Sequence, residues 1–247
     1  MKKLILFLCL SITVQAQNNL DLYLLVGQSN MAGRGTLDNY LLPSDSLWML
    51  AKDLSWVRAK EPFHYDKSAA GAGLAASFAR IILSKDKHPI GLIPAAVGGT
   101  SIRYWRSGAQ DPATGLYPYD DAIRRAKVAL KHGKIKAILW HQGESDTEST
   151  ASYVQEFISL MDNLHRDLDL PLGSIPVIIG ETGEFGDRSN SRQRINAVIR
   201  EIPNRLPFVK VVTSEGLTHN GDLTHFDTPA LRELGKRYAE VLLRFRQ

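Results

Sequence analysis

In the stretch LLVGQSNMAG, residues 24–33, an apolar run ends abruptly in Gly27, Gln28, Ser29 and Asn30. Most serines at such a place serve a turn or cap a helix. The sharper reading is a nucleophile, and a serine hydroxyl becomes one only when a base takes its proton. GLTHNGDLTHFD, near the C-terminus, offers that base as His225. Asp222 stands three residues earlier, near enough for its carboxylate to hold the second ring nitrogen. Acyl transfer also needs donors for a developing oxyanion. The Gly98-Gly99 pair has no side chains to obstruct its backbone N–H groups, and Gln142 of WHQGESD carries an amide. Each signal alone is weak. Asp-x-x-His arises by chance, Gly-Gly is commonly a tight turn, and Gln142 or Glu144 could satisfy backbone groups at a strand end. His219 reads as a loop histidine, and Trp105 and Trp140 as core residues or subsite walls.

The elements that would position these residues give the signals weight. Apolar runs at 20–27, 89–97, 135–142, 175–182 and 208–215 read as strands buried on both faces. Helix-period segments lie between and after them: Ala70 to Ser84, Tyr119 to His132, Ala151 to Leu168, Asn190 to Glu201, and Thr228 to Phe245. The last shows Leu231, Leu234, Tyr238, Val241, Leu242 and Phe245 at spacings of three and four, with Asp227 or Thr228 as its cap and Pro229 in its first turn. Five such alternations predict an α/β fold with a parallel five-stranded sheet covered on both faces. Arg34 to Lys67, with Trp48 and Trp56, breaks the pattern and reads as a long irregular insertion. Ligands of open α/β sheets bind beyond the carboxyl ends of the strands. Ser29, Gly98-Gly99, Gln142 and Glu144 directly follow three of those ends, and Asp222 and His225 come after the fifth.

Composition limits the alternatives. MKKLILFLCLSITVQAQ has a basic start, an apolar run and small Ala16, the layout of a signal peptide over residues 1–16, and the apolar run is shorter than a membrane span. Residues 17–247 then read as a single domain, exported to the periplasm or medium, with no membrane association once the leader is cleaved. The only cysteine, Cys9, lies in the leader, so stability must come from the core rather than from disulfides. Without Lys2 and Lys3, the 30 basic and 26 acidic side chains become 28 against 26, which is no electrostatic footprint for nucleic acid. A zinc hydrolase built on His141, Glu144, Asp146 and His219 would need three well-placed ligands, and no paired spacing provides them. The Gly-x-Ser-x-Gly elbow of α/β-hydrolases is also missing, since Met31 follows Asn30 where the second glycine should stand.

Four blocks in order, GQSNMAGRG, GGTSIRYW, WHQGESD and DLTHFDTPALRELGKRYA, resemble those of carbohydrate esterase family six. That group holds acetylxylan esterases and sialate O-acetylesterase domains and lies within the SGNH hydrolase superfamily. The resemblance covers nearly all of the chain after the leader. It implies a flavodoxin-like three-layer α/β/α sandwich and a metal-independent double displacement that uses no cofactor. By the same resemblance Ser29 is the nucleophile, His225 the base and Asp222 the acid, with Glu144 a second candidate for the acid. The Ser29 N–H, Gly98 or Gly99, and Gln142 are the oxyanion donors, Gln142 standing where the superfamily usually has asparagine. Gln28, Asn30, Arg103 and Trp105 fall in the same blocks and are expected to face substrate; Asn30 is also placed to pin its loop. The implied substrate is an acetylated carbohydrate: acetylxylan or its oligosaccharides, alternatively O-acetylated sialic acid. A lipase or thioesterase, and a sugar-binding protein without activity, are the remaining rivals.

Overall fold

The computed structural model describes residues 19–43 and 45–246; the leader expected at residues 1–16 lies outside them. Seven strands form one sheet: β1 (Leu20–Gly27), β2 (Leu47–Leu50), β3 (Trp56–Arg58), β4 (Ile90–Pro94), β5 (Gly133–His141), β6 (Val177–Gly180) and β7 (Val209–Val212). Their order is β3-β2-β4-β1-β5-β6-β7, and every pairing is parallel except that of β2 with β3. All five expected strands are present. The count of five is corrected to seven, because the segment read as irregular supplies β2 and β3. These strands have four and three residues, too few for a period to show. Leu47 and Met49 pair with Ile90 and Leu92 of β4, so β2 is held by its neighbour as much as by its own sequence.

Side chains of β1 alternate between two layers, as a strand's two-residue period requires. Leu22, Leu24 and Val26 pack with α3 (Pro118–Ala129), α4 (Thr150–Asp167) and α5 (Ser189–Arg205). Tyr23 and Leu25 pack on the other face with α2 (Ala75–Asp86) and α6 (Thr228–Phe245). Each fully buried Leu, Ile or Phe in these layers contributes about 1.5–3 kcal/mol against leaving it in water. The fold is thus helices, sheet, helices. Asp227 caps α6 by accepting the Ala230 N–H at 2.8 Å. Among the described residues no helix is long and apolar enough to cross a membrane.

Register decides where the polar residues meet. Gly27 pairs with His141, and His141 with Gly180. Beyond β4 the ladder continues as the Val97 N–H donates to Gly27 O at 3.0 Å. The ends of β1, β4 and β5 are therefore level, and the chain leaves all three at one edge.

Candidate active site

At Gly27 the backbone takes φ +126°, and a Cβ would stand 2.2 Å from the His141 carbonyl oxygen. Only glycine fits this approach. The next peptide is tied to the same carbonyl, the Gln28 N–H donating to His141 O at 2.9 Å. Ser29 then opens the four-residue helix α1 (Ser29–Ala32). Its hydroxyl is thereby held on the end of the central strand, not on a mobile loop.

His225 meets it from the other end of the chain, with Nε2 2.9 Å from Ser29 Oγ. His225 Nδ1 lies 2.5 Å from Asp222 Oδ2. Asp222 Oδ1 accepts the backbone N–H groups of Thr224 at 2.9 Å and His225 at 2.8 Å. Burial alone would raise the Asp222 pKa, but these bonds, with the His225 ring, lower it below the usual carboxylate value. An ionised Asp222 accepts the Nδ1–H, which leaves the Nε2 lone pair toward Ser29.

Glu144 is a different kind of carboxylate. Its side chain is 2% exposed, Oε1 accepts the Asn30 amide at 2.5 Å, and His141 Nε2 lies 3.6 Å away. Burial pushes its pKa up, yet His141, Arg192 and Asn30 outweigh burial and hold it at about 2. The geometry brings Asp222, and not Glu144, to His225.

The two glycines are also told apart. The Gly98 N–H donates to Asp66 Oδ2 at 2.8 Å, and Arg34 holds that carboxylate at 2.5 Å. Gly98 is buried, whereas Gly99 is exposed at φ +86°, and its N–H has no acceptor among the described residues. Ser29, Gly98, Gly99, Gln28, Glu144, Asp222 and His225 line one cavity of 540 Å³, with Arg34, Lys67, Arg188 and Arg192 among its other walls.

Four expected residues lie elsewhere. Gln142 is fully buried outside that cavity. Its Nε2 is committed to Asp146 Oδ2 at 2.5 Å, Thr100 O at 3.0 Å and Gln28 Oε1 at 3.1 Å. The expectation that it faces an oxyanion is corrected: a buried acid takes one of its two hydrogens, and the Thr100 carbonyl and the Gln28 amide oxygen share the other. Arg103 and Trp105 line a separate hollow with Arg106, Glu156 and Leu160. The chain turns away from Ser29 there because Asp146 accepts both the Ser101 hydroxyl at 2.5 Å and the Ile102 N–H at 2.9 Å. Trp105 is core, with its indole edge-on to Trp140 at 5.0 Å. The expectation that Asn30 faces substrate is also corrected: it is buried behind the site and spends its amide on three bonds that pin neighbouring loops. Among the described residues no group of three or more His, Cys, Asp and Glu is placed to hold a metal ion.

A family model described as "Carbohydrate esterase, sialic acid-specific acetylesterase" matches residues 19–244. The chain belongs to this family. A probable carbohydrate esterase of Arabidopsis thaliana is 34% identical over 249 residues, covering 90% of each chain. A solved Arabidopsis structure matches with TM-score 0.79 and 31% identity over 91% of this chain and 98% of that one. The structure of NanS, 19% identical, matches in fold with TM-score 0.75 over 94% of this chain and 99% of its own. Human sialate O-acetylesterase is 28% identical over 131 residues, 47% of this chain but 25% of that protein. The protein is therefore a carbohydrate esterase by family, on the α/β sandwich expected. Sequence reasoning missed Asp66 and Arg34, which fix Gly98, and the role of Asp146. Arg34 and Asp66 lie 32 residues apart in an insertion without periodicity, so no spacing pointed to them.

Proposed function

We propose that the protein is an exported carbohydrate O-acetylesterase that acts on acetylated plant polysaccharide, such as acetylxylan, or its oligosaccharides through an acyl-enzyme. The contact of His225 Nε2 with Ser29 Oγ at 2.9 Å, backed by Asp222, carries the mechanism. Ser29 Oγ attacks the acetyl carbonyl carbon while its proton passes to His225 Nε2. The carbonyl π pair moves onto oxygen, where the Ser29 and Gly99 N–H groups, which have no acceptor among the described residues, can donate. Collapse breaks the bond to the sugar oxygen, which leaves with the proton from Nε2. Water, deprotonated by the same nitrogen, then attacks the acetyl-serine, and acetate departs as Ser29 regains its proton. Export rests on the basic and apolar character of residues 1–16.

A second reading, O-acetylated sialic acid, is favoured by the walls of the cavity. Lys67, Arg188 and Arg192 stand there, and the Arg192 Nη1 is buried without a hydrogen-bond partner among the described residues. Such a wall suits a substrate with a carboxylate. Among the described residues no tryptophan lines the cavity, so neither Trp105 nor Trp140 forms a wall of it. Acetate release measured in parallel from acetylxylan and from O-acetylated sialic acid decides between the two. Turnover of the sialic acid alone would overturn the polysaccharide reading.

A further inference from the structure

Two backbone donors do not exhaust what a developing oxyanion can use; sites of this kind add a side-chain amide where one can be aimed. Two glutamines compete for the role. The hydrogens of Gln142 are spent. Reversing its amide would set Oε1 against the Asp146 carboxylate and the Thr100 carbonyl, both acceptors, so its direction is fixed.

Gln28 has the opposite arrangement. Its Oε1 accepts from Gln142 Nε2 at 3.1 Å and from the Ser145 N–H at 3.3 Å. Its carbonyl end is therefore turned into the protein. Amide oxygen and nitrogen diverge from one carbon, so Nε2 is directed elsewhere. Among the described residues nothing accepts from that nitrogen, although Gln28 lines the cavity beside Ser29 and Gly99. Donors on an amide oxygen draw charge toward it and make its N–H groups better donors. The backbone of Gln28 is anchored on His141 O, one peptide away from the nucleophile.

We propose that Gln28 Nε2 is the side-chain donor to the oxyanion and that Gln142, held by Asp146, is a positioning residue acting through it. This rests on the acyl-enzyme reading above. Gln28 transfers no proton; its hydrogen bond strengthens as the carbonyl π pair becomes a lone pair on oxygen.

The test uses 4-nitrophenyl acetate with Gln28→Met, Gln28→Glu, Gln142→Met, the double variant Gln28→Met/Gln142→Met, and Ser29→Ala. Gln28→Met removes the donor at similar volume and should lower kcat by roughly 10²–10³ with little change in KM. Gln28→Glu keeps an acceptor for Gln142 and Ser145 but adds a buried charge near Asp146 and Glu144, so it should melt below the parent and lose at least as much kcat. A trifluoromethyl ketone that forms a tetrahedral adduct with serine should bind both Gln28 variants more weakly by a similar factor. Gln142→Met should cost less, and the double variant no more than Gln28→Met, because Gln142 then has nothing to orient. Parent-like kcat and ketone affinity in the Gln28 variants, with activity abolished in Ser29→Ala, would overturn the proposal alone. So would a double variant whose loss is the product of the two single losses. Activity retained in Ser29→Ala would overturn the acyl-enzyme reading and this proposal together.

Discussion

The Asn30 amide nitrogen lies 2.5 Å from Glu144 Oε1 and 3.2 Å from the Thr224 carbonyl oxygen. Asn30 Oδ1 accepts the Phe226 N–H at 3.1 Å. Thr224 and Phe226 flank His225, and Asn30 follows Ser29. One buried side chain thus joins the helix that opens at the nucleophile to the loop of the base, residues 196 positions apart in sequence. Glu144 completes the joint by holding the Asn30 amide from below.

That joint makes Asn30 a positioning residue, and Asn30→Ala is expected to separate Ser29 from His225. A misplacement of about 1 Å can cost on the order of 10² in rate, so kcat should fall by up to that factor. The groups left without partners should lower stability by about 1–3 kcal/mol. The variant's melting temperature and its kcat, measured on one preparation, check this. Full activity together with early melting would restrict Asn30 to a structural role.

Ser29→Ala should fold as the parent does, because among the described residues the hydroxyl bonds only to His225. Acetate release should drop nearly to nothing, leaving at most the roughly 10³-fold acceleration that oxyanion donors and binding supply without a nucleophile. Chelators are expected to leave the parent rate unchanged. Loss in EDTA with rescue by zinc would favour metal-assisted hydrolysis instead.

The two acids separate by the role each geometry permits. Asp222→Asn should retain the backbone bonds near Thr224 yet present the wrong tautomer at His225, at a cost on the order of 10⁴ in kcat. Glu144→Gln should cost far less, since Glu144 reaches His225 only through Asn30. A larger loss in Glu144→Gln than in Asp222→Asn, at equal melting temperature, would reverse the assignment.

Much of this arrangement was legible in sequence where local rules apply. The end of an apolar run at Gly27 marks the strand tip, and the Asp222-x-x-His225 spacing closes a turn on its own backbone. Gln28 and Gln142 could not be ranked that way. The direction of the Gln142 amide depends on Asp146 and on Thr100, the latter 42 residues distant, and no periodicity encodes such a contact. The choice between Gly98 and Gly99 likewise depended on Asp66, from a segment whose only regular pieces are strands of three and four residues.

The same two glycines support a further expectation. A Cβ on Gly98 would lie 2.3 Å from Arg34 Nη2 and 2.8 Å from Asp66 Oδ2, so Gly98→Ala must push the buried pair aside. Asp66→Asn keeps an oxygen for the Gly98 N–H but removes the charge that Arg34 meets. Both should lower the melting temperature, Gly98→Ala the more. Their kcat should fall too, because the Val97–Gly98 peptide, which precedes the one carrying the Gly99 N–H, loses its anchor. Unchanged kcat in a destabilised Asp66→Asn would detach that anchor from the chemistry.

Glu144 gives the protein an acid limb of defined sign. Its folded pKa, about 2, lies below the ordinary 4.5 because His141, Arg192 and Asn30 overcome burial. A group with a depressed folded pKa contributes stability that is complete above its unfolded value and is lost as pH falls toward the folded one. Between pH 7 and pH 5 the parent should therefore exceed Glu144→Gln in melting temperature by a nearly constant margin. Below about pH 4.5 the margin should shrink, since the unfolded parent then takes up a proton that the folded one refuses. Other depressed carboxylates, Asp222 among them, titrate in both proteins and cancel in the difference. Thermal melts of the two proteins from pH 7 to pH 2.5 check the prediction. A margin that stays constant to pH 2.5, or grows as pH falls, would mean that Glu144 is not held ionised by His141 and its neighbours.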